Sequence, residues 1–316
     1  MRNSQRLKIE RDDHQRGVAL SSENSSNETG IPPLPPGREF ELPGRGTTFI
    51  RELPGPHPDA PVVLLLHGWT ATADLNWFAV YETLGQHFRV IAMDHRGHGR
   101  GIRTRKPFRL ADCADDAACL LSELGIKKVI PVGYSMGGPI ALLMWRRHRS
   151  IVEGLMLCAT AGSFAHSRGE RMGFLGLTGM GALARLTPPL AQEWLTERLF
   201  LRRKASKWGP WATSQIELHD WRMVLEAGHA IGNFSALEWL PEIDVPTSHI
   251  ITLRDPVIPV HRQLKLYSEI SRAQAVRIDG QHDAIVALAP KMSQMIIEGV
   301  NSIIERNNDE QPKVSS

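Results

Sequence analysis

A chain of 316 residues, 42% hydrophobic and carrying a net charge of +3, is long enough to bury one large α/β core with an insertion, and too weakly charged to signal a nucleic-acid partner. Its three scattered cysteines exclude a disulfide framework and a zinc site, which suits a reducing, cytoplasmic compartment. No run of eighteen apolar residues occurs, and the first thirty residues lack the apolar core of a secretory leader, so a soluble protein without a transmembrane segment is expected.

In chain order, residues 1–30 are polar, aperiodic and rich in Ser, Asn and charge, which predicts disorder. "IPPLPPG" follows as a polyproline II spacer, closing a segment outside the core at residue 37. "REFELPGRGTTFIRELPG" reads as two strands turning at residues 44–46. "PVVLLLHGW" and "RVIAMD" are continuous apolar runs, as strands buried on both faces require, with one helix between them over "NWFAVYETLGQHF". "LADCADDAACLLSELG" has the period of an amphipathic helix. The strand "KKVIPVGY", a helix over residues 136–149 and the strand "EGLMLCATA" continue the alternation. Strand and helix alternating through short links mean a parallel sheet covered on both faces.

The rhythm breaks over residues 162–241, which hold helical pieces, "HDWRMVLEAGHAIGNFSALEWL" among them, five tryptophans and no convincing buried strand. It returns with "SHIITLRD", a helix over "VHRQLKLYSEI", the strand "AQAVRI" and a long helix from Asp283. The core therefore comprises residues 38–161 and 242–308, with a tail at 309–316. Within the insertion, "GFLGLTGMGALARLTPPL" is apolar and carries glycines at 173, 176, 179 and 181. A mobile lid over an acyl pocket and a helical subdomain packing its own core both fit it. The basic "LRRKASK" reads as a solvated helix face.

Gly133-Tyr134-Ser135-Met136-Gly137 fits G-x-S-x-G, a pattern that chance alone supplies about one time in ten in a chain of this size. Its context strengthens it: a buried strand precedes Ser135 and a helix follows. A turn that sharp strains the serine backbone, and the flanking glycines leave room for neighbouring segments. A serine hydroxyl is a poor nucleophile without a base, and the base needs an orienting acid. Asp255 follows the apolar run of "SHIITLRD", and His282 follows the last strand. Loops after parallel strands converge at one sheet edge, so these distant positions can meet. Among the competitors, Asp279 precedes a glycine and suits a turn, Asp244 lies at the wrong end of a strand, and Asp283 suits a helix cap. His67 and His98 follow earlier strands and can approach the site. Acyl transfer also needs two N–H donors for an oxyanion, each worth about 3 kcal/mol of barrier. Met136 and Trp69 are in position to supply them. The Trp69 side chain can either wall an acyl pocket or pack under the insertion.

Together, His67-Gly68-Trp69, "DHRGHG" at residues 94–99, "GYSMGG", Asp255 and His282 resemble the α/β-hydrolase superfamily over about residues 38–307. The resemblance implies a mostly parallel eight-stranded sheet with helices on both faces and a helical cap after the sixth strand. It implies that "DHRGHG" shapes the floor of the site, with Arg96 structural. It also implies a triad of Ser135, Asp255 and His282, with Trp69 and Tyr134 facing a small-molecule ester and no metal or organic cofactor. Serine at 135 argues against the epoxide-hydrolase and haloalkane-dehalogenase branches, which use aspartate there. A single glycine before Trp69 departs from HGGG-type oxyanion loops. Carboxylic-ester hydrolysis on a lipophilic substrate is the leading expectation. Carbon–carbon bond hydrolysis, perhydrolysis, thioester hydrolysis and acyl transfer share the triad. A non-catalytic ligand-binding relative is the reading from another class, and the intact triad argues against it. The oligomeric state leaves no signature in the sequence.

Overall fold

The computed structural model of the protein describes residues 30–165, residue 169 and residues 208–310. Strands β1 (Gly37–Leu42) and β2 (Gly46–Leu53) form the expected antiparallel hairpin, closed where the Arg45 N–H donates to the Leu42 carbonyl at 2.9 Å. Then follow β3 (Val62–Leu66), helices α1 (Ala73–Trp77) and α2 (Tyr81–Gly85), β4 (Arg89–Met93), α3 (Leu110–Glu123), β5 (Ile130–Tyr134), α4 (Gly137–Arg147) and β6 (Leu155–Cys158). Between β6 and β7 lie α5 (Gly209–Glu217) and α6 (Trp221–Gly232). The chain closes with β7 (Thr247–Thr252), α7 (Val260–Ser268), β8 (Ala273–Ile278), α8 (Ala284–Ala287) and α9 (Ala289–Glu310).

The strands form one eight-stranded sheet in the order β1-β2-β4-β3-β5-β6-β7-β8. From β4 to β8 every pairing is parallel, and only the hairpin and its junction with β4 are antiparallel. The period of two along β3 splits the core. Leu64 and Leu66 join α3, α4, α6 and α7 on one face, while Val63 and Leu65 join α1, α2 and α9 on the other. Each fully buried leucine contributes roughly 1.5–3 kcal/mol, so both layers are firmly held. Because β3 to β8 run in one direction, the loops after β3, β5, β7 and β8 emerge along one edge.

Four elements differ from expectation. The helix expected over residues 76–88 is two short pieces separated at residues 78–80. The break lets Trp77, Val80, Tyr81 and Leu84 all bury in one layer while Leu75 joins another cluster. The final helix is interrupted at Leu288, because Pro290 has no N–H to continue the ladder and is tolerated only in a first turn. It then runs to Glu310, past the expected end of the core. Helix α6 stops at Gly232, short of the "NFSALEWL" read as helical. The proline segment is no free spacer: Pro32 is buried, Leu34 packs against two hydrophobic clusters, and Arg51 donates to the Pro35 carbonyl.

Residues 1–29, 166–168, 170–207 and 311–316 lie outside the described residues, and with them the N-terminal disorder, the glycine-rich stretch 173–181 and the basic 201–207. Among the described residues, Cys113, Cys119 and Cys158 are free thiols, and no helix is long and apolar enough to cross a membrane.

Candidate active site

Strand β5 ends at Tyr134, and α4 begins three residues later at Gly137. Ser135 between them takes the left-handed backbone conformation, φ 53°, which costs a non-glycine residue about 1–2 kcal/mol. The cost is met by bonds that over-determine the turn. The Ser135 N–H donates to the Cys158 carbonyl at 3.0 Å, and the Ser135 carbonyl accepts the Gly138 N–H at 2.9 Å and the Thr160 hydroxyl at 2.7 Å. Glycine is needed on either side. A Cβ at Gly133 would overlap the backbone of Gly137, and one at Gly137 would overlap the Leu66 carbonyl.

The three residues singled out for catalysis meet. His282 Nε2 lies 2.9 Å from Ser135 Oγ, and His282 Nδ1 lies 2.7 Å from Asp255 Oδ2. An ionised carboxylate can only accept, so Nδ1 carries the proton and Nε2 accepts the serine O–H. Asp255 Oδ1 accepts the N–H groups of Val257 at 2.8 Å and Ile258 at 2.9 Å, and Oδ2 also accepts the Thr252 hydroxyl at 2.8 Å. Burial alone would raise the Asp255 pKa. The bonds from His282, Ile258 and Thr252 outweigh it and hold the carboxyl below its ordinary range. Ser135 is 8% exposed and the His282 side chain 23%, so the histidine edge is open to an incoming molecule.

The loop after β3 abuts the serine: the space a Cβ on Gly68 would fill is bounded by Ser135 Cβ and Asn76 Oδ1. Asn76 Oδ1 accepts the Gly68 N–H at 3.0 Å and fixes that peptide. The backbone N–H groups of Trp69 and Met136 make no hydrogen bond to another described residue. Among the described residues, two of the three non-glycine residues with positive φ stand beside them: Thr70 (φ 59°) after Trp69 and Ser135 before Met136. Strain of this kind concentrates where a backbone group is aimed at something outside the chain. The Trp69 side chain packs against α6, its indole N–H donating to the Val224 carbonyl at 2.7 Å. Helix α6 also covers the loop after β4: Asp220 N–H donates to Gly97 O at 2.8 Å, and Met223 fills the space a Cβ on Gly97 would need.

Two assignments are corrected. Tyr134 does not face a substrate: it is 2% exposed and its hydroxyl donates to the His282 carbonyl at 2.8 Å, so it braces the loop that carries the imidazole. Asp283 occupies the N-cap position of α8, but its side chain makes no capping bond there.

"DHRGHG" forms the buried floor. Asp94 accepts the N–H groups of Ala73 and Arg100, each at 2.8 Å, yet burial pushes its carboxyl up to about 6. Arg96 forks onto Asp116 at 2.7 and 2.8 Å, as the structural role expected of it requires. His67, His95, His98 and, from the link between α5 and α6, His219 form a chain of buried rings with centroids 4.2 to 5.4 Å apart. Desolvation lowers all four, His67 to about 3 and His219 to about 4. His67 Nε2 accepts the His95 N–H at 2.9 Å and His219 Nδ1 the Gly99 N–H at 2.8 Å, bonds that only a neutral ring can accept. His67 and His98 thus shape the loops and stand outside the Ser135–His282–Asp255 chain.

Thr252, Gln263, Asn76 and Thr160 escaped the sequence reading. Gln263 left a trace: with Leu266 it falls on the buried stripe of α7, where a polar residue needs partners. Asn76 and Thr160 left none.

A family model described as the alpha/beta hydrolase fold matches residues 61–286. The chain is 23% identical over 261 residues to the AB hydrolase superfamily protein YisY of Bacillus subtilis, covering 81% of this chain and 96% of that one. Over a shorter stretch of 81 residues it is 40% identical to the bifunctional esterase/perhydrolase DCH of Acinetobacter calcoaceticus, 25% of this chain and 29% of that one. Among solved structures, a thermophilic esterase from Thermogutta terrifontis superposes with a TM-score of 0.70 at 23% identity, over 85% of this chain and 99% of that one.

Proposed function

Because the chain belongs to the α/β-hydrolase fold family, we propose that it is a serine hydrolase cleaving a carboxylic ester through an acyl-enzyme on Ser135. The observation that carries this reading is the continuous chain Ser135 Oγ–His282 Nε2, 2.9 Å, and His282 Nδ1–Asp255 Oδ2, 2.7 Å, at the loop edge of the sheet.

Ser135 Oγ attacks the acyl carbon while His282 Nε2 takes its proton. Asp255 keeps the ring in the tautomer that leaves Nε2 free to accept, and its negative charge stabilises the imidazolium. The oxygen that becomes negative sits against the N–H groups of Met136 and Trp69, each worth roughly 3–4 kcal/mol of barrier. His282 then returns the proton to the departing alcohol. Water adds to the acyl-enzyme, giving its proton to the same nitrogen, and the carboxylic acid leaves as Ser135 recovers its hydrogen. A lipophilic acyl or alkyl group under the insertion suits the apolar character of α6 and its tryptophan neighbours. Perhydrolysis, with peroxide in place of water, is the second reading, favoured by the stretch shared with DCH.

Initial rates on p-nitrophenyl esters from acetate to palmitate, with Ser135→Ala alongside, test the proposal. Turnover that disappears in the variant supports it, and the preferred chain length sizes the acyl pocket. Absence of turnover on every ester counts against it. Rates compared with and without hydrogen peroxide, with peracid assayed as product, separate the two readings.

A further inference from the structure

We infer that Gln263 is a positioning residue for the Asp255 carboxylate, its buried side-chain amide fixing the direction in which the Thr252 hydroxyl gives its single proton. The inference rests on the roles proposed above for Ser135, Asp255 and His282.

Gln263 projects from α7 behind the acid loop and is 2% exposed. The orientation of its amide follows from two backbone groups that each play one role only. The Thr252 N–H, which can only donate, meets Oε1 at 3.1 Å. The Ile258 carbonyl, which can only accept, meets the amide nitrogen Nε2 at 2.7 Å. A flipped amide would set donor against donor and acceptor against acceptor. With Nε2 so placed, its second hydrogen reaches Thr252 Oγ1 at 2.9 Å. The hydroxyl accepts that bond and sends its only proton to Asp255 Oδ2, 2.8 Å away.

Both residues that Gln263 holds at the acid loop act on the carboxylate. Thr252 supplies a hydroxyl donor to Oδ2, and Ile258, whose carbonyl Gln263 anchors, supplies its own N–H to Oδ1. With Val257 N–H and His282 Nδ1–H the count reaches four donors, which fills the four lone-pair sites of a carboxylate. A carboxylate so saturated stays ionised and has one direction in which to meet His282. Without the amide donor the hydroxyl is free to turn, Oδ2 loses a partner, and the acid is held less rigidly against the ring.

The test reads the nucleophilicity of Ser135 without needing the natural substrate, through the rate of covalent labelling by a fluorophosphonate probe as a function of pH. Gln263→Glu keeps the size and the acceptor but, ionised, offers no N–H and draws the Thr252 hydroxyl toward itself. Labelling is expected to slow by about tenfold, the loss of one buried hydrogen bond from a reacting assembly. The acidic limb of the pH profile moves up by about half a unit, as the less satisfied carboxylate favours the imidazolium. Gln263→Met removes the amide without adding charge and gives the same slowing where a buried glutamate disturbs folding, which urea midpoints reveal. Thr252→Val slows labelling, Thr252→Ser restores it, and adding Gln263→Met to Thr252→Val slows labelling by much less than Gln263→Met does on its own. Wild-type rates and an unmoved acidic limb in folded Gln263 variants overturn the inference, as does a double variant whose losses multiply. A wild-type protein that does not label at Ser135 overturns instead the reading on which the inference rests.

Discussion

Acidification from pH 7.5 to 5.0 removes much of the stability of this protein, because several histidines are buried as neutral rings. His67, His219 and His249 have their pKa values lowered by desolvation to about 3, 4 and 3, whereas an unfolded chain titrates near 6.5. The folded state binds fewer protons than the unfolded one across that interval. Each unit of pH below 6.5 therefore favours unfolding by about 1.4 kcal/mol per ring, down to the folded value. At pH 5.0 each of the three rings has lost about 2 kcal/mol of stabilisation, roughly 6 kcal/mol together. His95 and His98, also lowered by burial, act in the same direction. Asp94 opposes them: its folded pKa, raised to about 6, makes the native state bind more protons below that pH and returns about 1 kcal/mol at pH 5.0. The net loss approaches the ~5–15 kcal/mol that holds an ordinary domain together. Urea titrations followed by circular dichroism at pH 7.5, 6.5, 5.5 and 5.0 measure this directly. The midpoint falls steadily below pH 6.5 while the slope stays constant. A midpoint at pH 5.0 equal to that at pH 7.5 refutes the neutral burial of these rings.

Three substitutions test other parts of the framework. Tyr134→Phe removes the hydroxyl that donates to the His282 carbonyl, so stability falls by about 1 kcal/mol and kcat falls with KM unchanged; an altered KM with unaltered kcat would restore Tyr134 to the substrate side. Arg96→Met breaks a buried pair and strands the Asp116 carboxylate beside Arg45 alone, at about 3–5 kcal/mol in urea unfolding; a loss below 1 kcal/mol would show that the floor does not depend on it. Asp255→Asn presents an N–H to the ring and reverses its tautomer, so turnover drops by roughly 10³–10⁴ in a protein whose far-ultraviolet spectrum is unchanged, and a drop of less than tenfold would remove Asp255 from the acid role.

What was legible in the sequence was whatever repeats or punctuates. The apolar runs at Val62–Leu66 and Arg89–Met93 became strands because a sheet buried on both faces requires apolar stretches. Ser135, Asp255 and His282 could be placed at one edge because each comes shortly after the end of a strand. Interruptions were harder to see. The break before Pro290 was open to a reader of proline rules, but the one at residues 78–80 serves tertiary burial that no local window contains. Side-chain direction was the least accessible. Tyr134 stands next to the serine in sequence, yet the turn at Ser135 sends it into the layer below. Thr160 and Asn76 hold the elbow and the neighbouring loop from positions 25 and 59 residues away from Ser135, with nothing around them to announce it. Gln263 alone carried a readable anomaly, a polar residue in step with Leu266.

The most direct test of the account is to mix the protein with p-nitrophenyl butyrate, quench in acid during the first turnover and map the peptides by mass spectrometry. The account predicts a butyryl group on Ser135, formed at the rate of p-nitrophenol release and missing from both Ser135→Ala and His282→Ala. Release of p-nitrophenol with no acyl group on Ser135, or with the group on another residue, would contradict it.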